Sequence, residues 1–341
     1  MMRRPVVCVV SRIAGLQESF VAPAFSSVSI DWHTGSLDTP EALTALSRCE
    51  VLVGEPAVCG PVVDQCPNLK WLQSTFAGCN QLLTDSTRRD YTATRLAGCF
   101  GPDMAEYCML HILAQERHFC ALRDLQQRSK WEGARSTTGP GLSSTSTYRR
   151  LPTLTLGVLG LGDIGSEISR MAATGHRMRV VGCRRDASPR ASDAASGVAH
   201  VYPLEQLAAF LSQCDYLVSV LPSTPNSRGL LGGDTLSACA QRRPVLINVG
   251  RGDLLSEAAI LAALENGWLR HYVGDVFEIE PLPSTSALWS HPDVTVTPHN
   301  SAVTSANDVV EAFADNLQRY TEGGVGALLH VRDDAGGGQG I

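Results

Sequence analysis

The strongest constraint on the fold lies near the middle of the chain, where the apolar run Leu154-Thr-Leu-Gly-Val-Leu159 passes directly into Gly160-Leu-Gly-Asp-Ile-Gly165. Ile164, Ile168 and Met171 then recur at helical spacing. A strand, a glycine turn and a helix in that order make the first half of a βαβ unit, with backbone N–H groups and a helix N-terminus aimed at an anionic group. Gly160 permits the tight turn, Gly162 the close approach of a phosphate, and Gly165 the packing of helix on strand. A lone Gly-x-Gly-x-x-Gly arises by chance in ordinary turns, so the flanking strand and helix give the pattern its meaning.

The rest of the chain extends this pattern. Strand-like runs at Arg179–Gly182, Tyr216–Leu221, Val245–Val249, Tyr272–Val276 and Val294–Thr297 alternate with helical stretches, the doubly wound arrangement. Upstream, Val6–Val10, Val51–Val53, Leu69–Gln73 and Thr94–Ala97 are short apolar runs suited to a second parallel sheet. Asp103-Met-Ala-Glu106 has the form of a capping box, and a stretch without Gly or Pro continues from it to Arg128. Its apolar residues occupy more than one face, which suits burial between domains or subunits. Ser129–Arg150, rich in Ser, Thr and Gly, reads as an irregular connection, and a helix over about Ala306–Thr321 returns the chain to its first domain. The predicted fold class is α/β, with two Rossmann-like or flavodoxin-like domains built on doubly wound parallel sheets. A cofactor domain over 103–299 interrupts an outer substrate domain of 1–102 and 300–330, and the Gly-rich 331–341 forms a flexible tail.

Composition excludes several other classes. A chain of 341 residues suits two domains, and 44% hydrophobic residues supply ample core. The net charge of -6 leaves no broad basic surface, so no nucleic-acid partner is expected. Eleven cysteines are scattered, odd in number and never spaced Cys-x-x-Cys, which suggests neither a metal site nor a disulfide framework. Cys8, Cys108, Cys183 and Cys214 fall in apolar patterns where a thiol acts as a small hydrophobe, and a reducing cytoplasmic location follows. Met1–Val10 is basic then apolar for only a strand's length, and no run approaches the roughly 20 residues of a membrane span.

Three residues carry the chemistry: Arg251 in Asn248-Val-Gly-Arg-Gly252, Glu280 in Asp275-Val-Phe-Glu-Ile-Glu-Pro281, and His299 in Thr297-Pro-His299. A guanidinium grips a carboxylate with two parallel hydrogen bonds, an imidazole moves a proton near neutral pH, and a carboxylate orients that imidazole and favours its cation. His299 is singled out among nine histidines because it ends a strand beside a proline, whereas His111 and His118 occupy ordinary helix positions. At the end of the second strand of the glycine unit, Gly182-Cys-Arg-Arg-Asp186 puts Arg184 and Arg185 where an NAD-binding fold usually has an acidic residue. Arginine cannot accept from a ribose hydroxyl but pairs with a 2′-phosphate, so NADP (NADPH) is favoured over NAD. Asp186 swinging back into the acidic role is the competing reading.

These motifs, in this order and at this spacing over nearly the whole chain, resemble the D-isomer-specific 2-hydroxyacid dehydrogenase family, and Leu221-Pro-Ser-Thr-Pro225 belongs to the match. Pro281-Leu-Pro, Leu288-Trp, His291-Pro and Ala302-Val-Thr304 resemble its glyoxylate/hydroxypyruvate reductase branch. The resemblance implies a small 2-oxo or 2-hydroxy acid substrate held by Arg251, a proton supplied by His299, and Glu280 raising the imidazole's pKa. Glu278 is nearby, but the Glu-Pro dipeptide makes Glu280 the match. It implies that Asp275 accepts from the nicotinamide carboxamide, and that Asp163, Ile164, Leu221, Pro222, Val249 and Gly250 also contact the cofactor. Gln73-Ser-Thr-Phe-Ala-Gly-Cys-Asn80 resembles the loop whose backbone receives the substrate carboxylate, placing Ala77 and Gly78 at the ligand, with Phe76 lining the pocket or filling the core. Cys79-Asn80 stands where the family often has Val-Asp, and Gly250 where it has Ala or Ser; these departures bear on substrate preference. The helix 103–128 resembles the family's dimer-forming segment and implies a homodimer. A second class of function on the same scaffold is a dinucleotide-sensing, corepressor-like binding protein, because such relatives can retain Arg251, Glu280 and His299.

Overall fold

The computed structural model describes residues 5–20, 25, 28–33, 37–79, 81–85, 88–131 and 148–332. The chain divides into two compact units, one running to Cys99 and resuming at Val303, the other from Phe100 to Ala302. Each observed boundary lies three residues outside the predicted 103–299. The reasons are local: a helix already starts at Gly101, and the Ser301 amide is bonded to Asp275 of the second unit.

In the first unit, strands β1 (Val6–Val10), β2 (Ser29–His33), β3 (Val51–Gly54), β4 (Trp71–Ser74) and β5 (Thr92–Thr94) form a sheet of order β2-β1-β3-β4-β5 in which every pairing is parallel. Val7, Cys8, Val9 and Val10 are all fully buried, as expected of a parallel strand covered on both faces. Such burial contributes about 1.5–3 kcal/mol per large aliphatic side chain. Phe313, on the helix Ala306–Gly323, stacks on Trp71 and Phe25, while the Trp71 indole donates to Thr94 at 2.8 Å. On the same helix, buried Asn316 donates to Gln73 Oε1 and accepts from the Leu329 amide. Two residues of the predicted tail are held instead: Val331 bridges Thr94 and the Arg332 amide donates to Ala93 O at 2.7 Å. Residues 333–341, Asn80 and 132–147 of the predicted connection lie outside the described residues.

In the second unit, β6 (Thr155–Leu159), β7 (Arg179–Arg184), β8 (Val198–Pro203), β9 (Tyr216–Ser219), β10 (Val245–Asn248), β11 (His271–Gly274) and β12 (Val294–Val296) form a seven-stranded parallel sheet of order β12-β11-β10-β9-β6-β7-β8. The order reverses at β6, which lies between β7 and β9. Alternate residues feed two cores: Leu156, Val158, Tyr216, Val218, Val245 and Ile247 on one face, and Leu159, Val181, Leu217, Leu246 and Tyr272 on the other. Cys108, Cys183 and Cys214 pack in these cores as apolar groups, as Cys8 does in the first unit.

The sequence pattern predicts one helix over 103–128, and the structure corrects this to two, Gly101–Glu116 and Phe119–Gln127. His118 breaks the run with a left-handed backbone at φ 52°. Buried Glu116, at the end of the first helix, is bound instead to Tyr216 Oη at 2.6 Å and to Arg149, which fixes that end against the start of β9. The predicted capping box is absent as well: Phe100 is the N-cap, no side chain caps it, and Asp103 sits in the first turn. Among the described residues no helix is long and apolar enough to cross a membrane.

Candidate active site

The carboxyl ends of six neighbouring strands carry the predicted residues. In sheet order they are His299 beyond β12, Asp275 after β11, Val249, Gly250 and Arg251 after β10, Leu221 and Pro222 beyond β9, the glycine loop after β6, and Arg184 closing β7. Parallel strands place all these ends on one edge of the sheet, and the strand order reverses at β6, the position at which doubly wound sheets take their ligands. Phe76, Ala77 and Gly78 belong to the first unit, where they follow β4. Phe76 is 41% exposed, which rules out the core-filling alternative.

The glycine loop is sterically specified. A Cβ on Gly165 would stand 1.9 Å from the Gly160 carbonyl oxygen, so the helix Asp163–Arg170 can pack this closely only with glycine there. Gly160 has φ +103°, and its amide donates to Cys183 O. Gly162 is the helix N-cap, which leaves the first-turn N–H groups of Asp163, Ile164 and Gly165 without helical acceptors. Asp163 is exposed and Ile164 packs on the core beneath. A Cβ on Gly250 would meet Leu221 O at 2.6 Å, so the loops beyond β9 and β10 lie back to back, and the methyl of an alanine there would collide with the Leu221 backbone. Asn248 steadies the turn, accepting from the Gly250 amide and donating to Arg251 O.

The proton-handling residues meet directly. His299 Nδ1 lies 2.8 Å from Glu280 Oε2, and Glu280 Oε1 accepts from the Phe277 amide at 2.9 Å. Glu278 has no part in this pair. The hydrogen bond to Glu280 raises the His299 pKa, outweighing burial and the Arg251 charge, which both lower it. Burial raises the Glu280 pKa, but the His299 hydrogen bond, the Phe277 amide and the charges of His299 and Arg251 together bring it below the ordinary value. Arg251 Nη1 donates to Gly250 O at 2.6 Å, which restrains the guanidinium. His299 itself has a left-handed backbone, φ 51°, that a non-glycine residue adopts only when its surroundings impose it.

Asp275 supplies much of that imposition. Its buried carboxylate accepts from Thr297 Oγ1 at 2.6 Å, from the Asn300 amide at 2.9 Å and from the Ser301 amide at 2.9 Å. Its carbonyl accepts from the His299 amide. Thr297 enters the sequence pattern only as the start of Thr297-Pro-His299, and Tyr107, 2.6 Å from the Thr297 hydroxyl, is given no role there. The signal was a tyrosine among small and apolar neighbours on a helix, a residue whose hydroxyl needs a buried partner.

Arg184 differs most from its predicted role. Its guanidinium makes a two-pronged pair with Asp193 and donates to Asp186 O and Ser188 O. The side chain is 5% exposed, so Arg184 closes the turn after β7 and is not free for a 2′-phosphate. Arg185 is exposed, and the Asp186 carboxylate is engaged by Ser188.

A family model described as D-isomer specific 2-hydroxyacid dehydrogenase, NAD binding domain, matches residues 109–301. A D-isomer specific 2-hydroxyacid dehydrogenase family protein from Aeromonas salmonicida subsp. salmonicida A449 is 32% identical at a TM-score of 0.81, over 97% of this chain and 99% of that one. The NADPH-dependent glyoxylate/hydroxypyruvate reductase from Sinorhizobium meliloti, in complex with NADP and sulfate, is 27% identical at 0.79, over 98% and 99%. A D-isomer specific 2-hydroxyacid dehydrogenase from Xanthobacter autotrophicus Py2, in complex with NADPH and MES, is 27% identical at 0.78, over 96% and 98%. With the glycine loop, the parallel sheet and the family match in agreement, the chain belongs to the D-isomer-specific 2-hydroxyacid dehydrogenase family and is an NAD(P)-dependent oxidoreductase.

Proposed function

We propose that this protein reduces a small 2-oxo acid of the glyoxylate or hydroxypyruvate type to the D-2-hydroxy acid, with NADPH as the favoured coenzyme and NAD(H) the poorer one. The observation that carries this reading is the His299–Glu280 pair beside the Arg251 charge, at the carboxyl ends of neighbouring strands. The glycine loop fits a dinucleotide: the Gly160–Gly165 approach leaves no room for a side chain, and the first-turn N–H groups are free for a pyrophosphate. The chemistry a nicotinamide coenzyme would supply there is hydride for the substrate's carbonyl carbon. Arg251 holds the carboxylate by a two-pronged contact and draws electron density from the carbonyl oxygen. Since Glu280 engages Nδ1, His299 gives its proton to that oxygen from Nε2. Glu280 keeps the imidazole oriented and protonated until the transfer. Asp275 Oδ2 takes one donor within the fold, which leaves a lone pair for the nicotinamide carboxamide.

The choice of NADPH rests on Arg185, exposed beyond β7, and on the coenzymes bound by the Sinorhizobium and Xanthobacter relatives. Exposed Leu110, Phe119, Leu122 and Trp131 on and after the helices Gly101–Glu116 and Phe119–Gln127 support a homodimer through this segment. Cys8, Cys108, Cys183 and Cys214, packed in the apolar cores as free thiols, suit a reducing cytoplasm. The test is a panel of initial rates for glyoxylate, hydroxypyruvate, pyruvate and larger 2-oxo acids with NADPH and NADH, with chiral analysis of the product. The reading requires glyoxylate and hydroxypyruvate to be the best substrates and the glycerate formed from hydroxypyruvate to be D; loss of nicotinamide absorbance with none of the acids would refute it.

A further inference from the structure

We propose that Tyr107 is a positioning residue for His299, acting through the Thr297 hydroxyl and the Asp275 carboxylate. The inference rests on the reading of His299 as the proton donor and adds a residue from the helix Gly101–Glu116 to it.

Proton counting fixes the direction of each bond. An ionised carboxylate only accepts, and Asp275 accepts from the Thr297 hydroxyl. That commits the one proton of Thr297, so its oxygen is the acceptor in the 2.6 Å contact with Tyr107 and the phenol is the donor. Burial raises the Tyr107 phenol well above its ordinary pKa, and the nearby Asp275, Cys108 and Tyr272 act in the same direction, so the proton stays in place. The Tyr107 ring lies 4.5 Å from the His111 ring and is held independently of its hydroxyl.

The same carboxylate binds both ends of the Thr297–Ser301 segment, through the Thr297 hydroxyl at one end and the Asn300 and Ser301 amides at the other. His299 lies between them in its left-handed conformation, and Glu280 meets its ring. Each donor therefore limits how far the His299 backbone can relax. Tyr107 orients the Thr297 hydroxyl that makes the first of these bonds, and without it that hydroxyl can rotate away from Asp275. The imidazole then loses alignment with Glu280, whose hydrogen bond raises its pKa.

The test compares the full-length wild type with Tyr107→Phe, Thr297→Val, Thr297→Ser and the Tyr107→Phe/Thr297→Val double variant. The His299 imidazole is titrated by NMR, with its signal assigned against His299→Asn, and kcat, KM and NADPH binding are measured alongside. Tyr107→Phe should move the His299 midpoint down toward the ordinary value of about 6.5. It should lower kcat about tenfold, the order expected for losing one hydrogen bond, while KM and NADPH affinity hold. Thr297→Ser should behave as wild type, and the double variant should be no worse than Thr297→Val, since the two act in one chain. A His299 titration that is unmoved or raised in folded Tyr107→Phe overturns the proposal, as do additive effects in the double variant. The NMR titration needs no substrate, so a wild type inactive on every 2-oxo acid would sink the proposed function and leave this relationship still decided by the midpoint.

Discussion

Glu280 holds His299 by Nδ1 at 2.8 Å while its own second oxygen is occupied by the Phe277 amide, so the imidazole has one nitrogen left for chemistry. The pair also sets the pH range. His299 has a raised folded-state pKa, so its contribution to stability is complete below the unfolded value of about 6.5 and is lost as pH rises through the folded one. Glu280 has a lowered pKa, so its contribution is complete above about 4.3 and is lost as pH falls through the folded value.

Activity should follow the His299 proton. In the reductive direction kcat/KM should be level on the acid side and fall as pH rises through the elevated histidine pKa; in the oxidative direction it should rise through the same value. Glu280→Gln removes the carboxylate that favours the cation, so the falling limb should move to lower pH, with a loss of about 10²-fold at neutral pH. A profile unchanged in position would remove Glu280 from the proton step.

Arg251 should separate substrate from coenzyme. Its restrained guanidinium is assigned to the substrate carboxylate, so Arg251→Ala should lower kcat/KM by about 10²–10³-fold, the order seen when a transition-state donor is removed. NADPH binding, followed by fluorescence, should hold. Arg251→Lys should recover only part of the loss, because a point charge cannot make the two-pronged contact. An Arg251→Ala enzyme of wild-type efficiency would exclude this role.

Period and punctuation in the sequence located most of this architecture. The glycine loop announced itself because strand, turn and helix are contiguous in Leu154–Arg170, and residues at strand ends are legible because a parallel sheet gathers those ends on one edge. Two strands escaped, β2 with Ser-Ile-Asp-Trp-His and β8 with Val-Ala-His-Val-Tyr-Pro. Both are edge strands, and half-exposed edges do not need a continuous apolar run. What sequence spacing could not convey was side-chain partnership across distance. Tyr107 meets Thr297 across 190 residues, Glu116 meets Tyr216 across 100, and Arg184 is captured by Asp193 in a turn whose geometry no periodicity encodes.

Oligomerisation should depend on the pair of helices corrected from the single predicted segment. Phe119 at 58% exposure and Leu122 at 41% lie one turn apart on the second of them, an apolar surface of the kind that marks a protein interface. Light scattering should give a dimer for the wild type and a monomer for Phe119→Glu/Leu122→Glu, with the circular dichroism of the monomer unchanged. A wild type that stays monomeric at high micromolar concentration would refute the assignment.

Arg184 and Arg185 are adjacent in sequence but should respond in opposite ways. The Arg184–Asp193 pair is 5% and 14% exposed, and removing one partner from a buried pair strands the other charge, at a cost of about 3–5 kcal/mol. Arg184→Ala should therefore lower the melting temperature by several degrees while changing the ratio of NADPH to NADH efficiency by no more than about twofold. Arg185 is exposed beyond β7, and on the proposed function its charge is the one offered to the 2′-phosphate. Arg185→Ala should leave the melting temperature in place and lower efficiency with NADPH about tenfold, the value of one charge-assisted phosphate contact, while NADH efficiency is unaltered. Measuring both coenzymes on both variants decides the matter. If a folded Arg184→Met protein loses its NADPH preference and Arg185→Ala keeps it, the guanidinium now paired with Asp193 must turn outward to the phosphate when coenzyme binds.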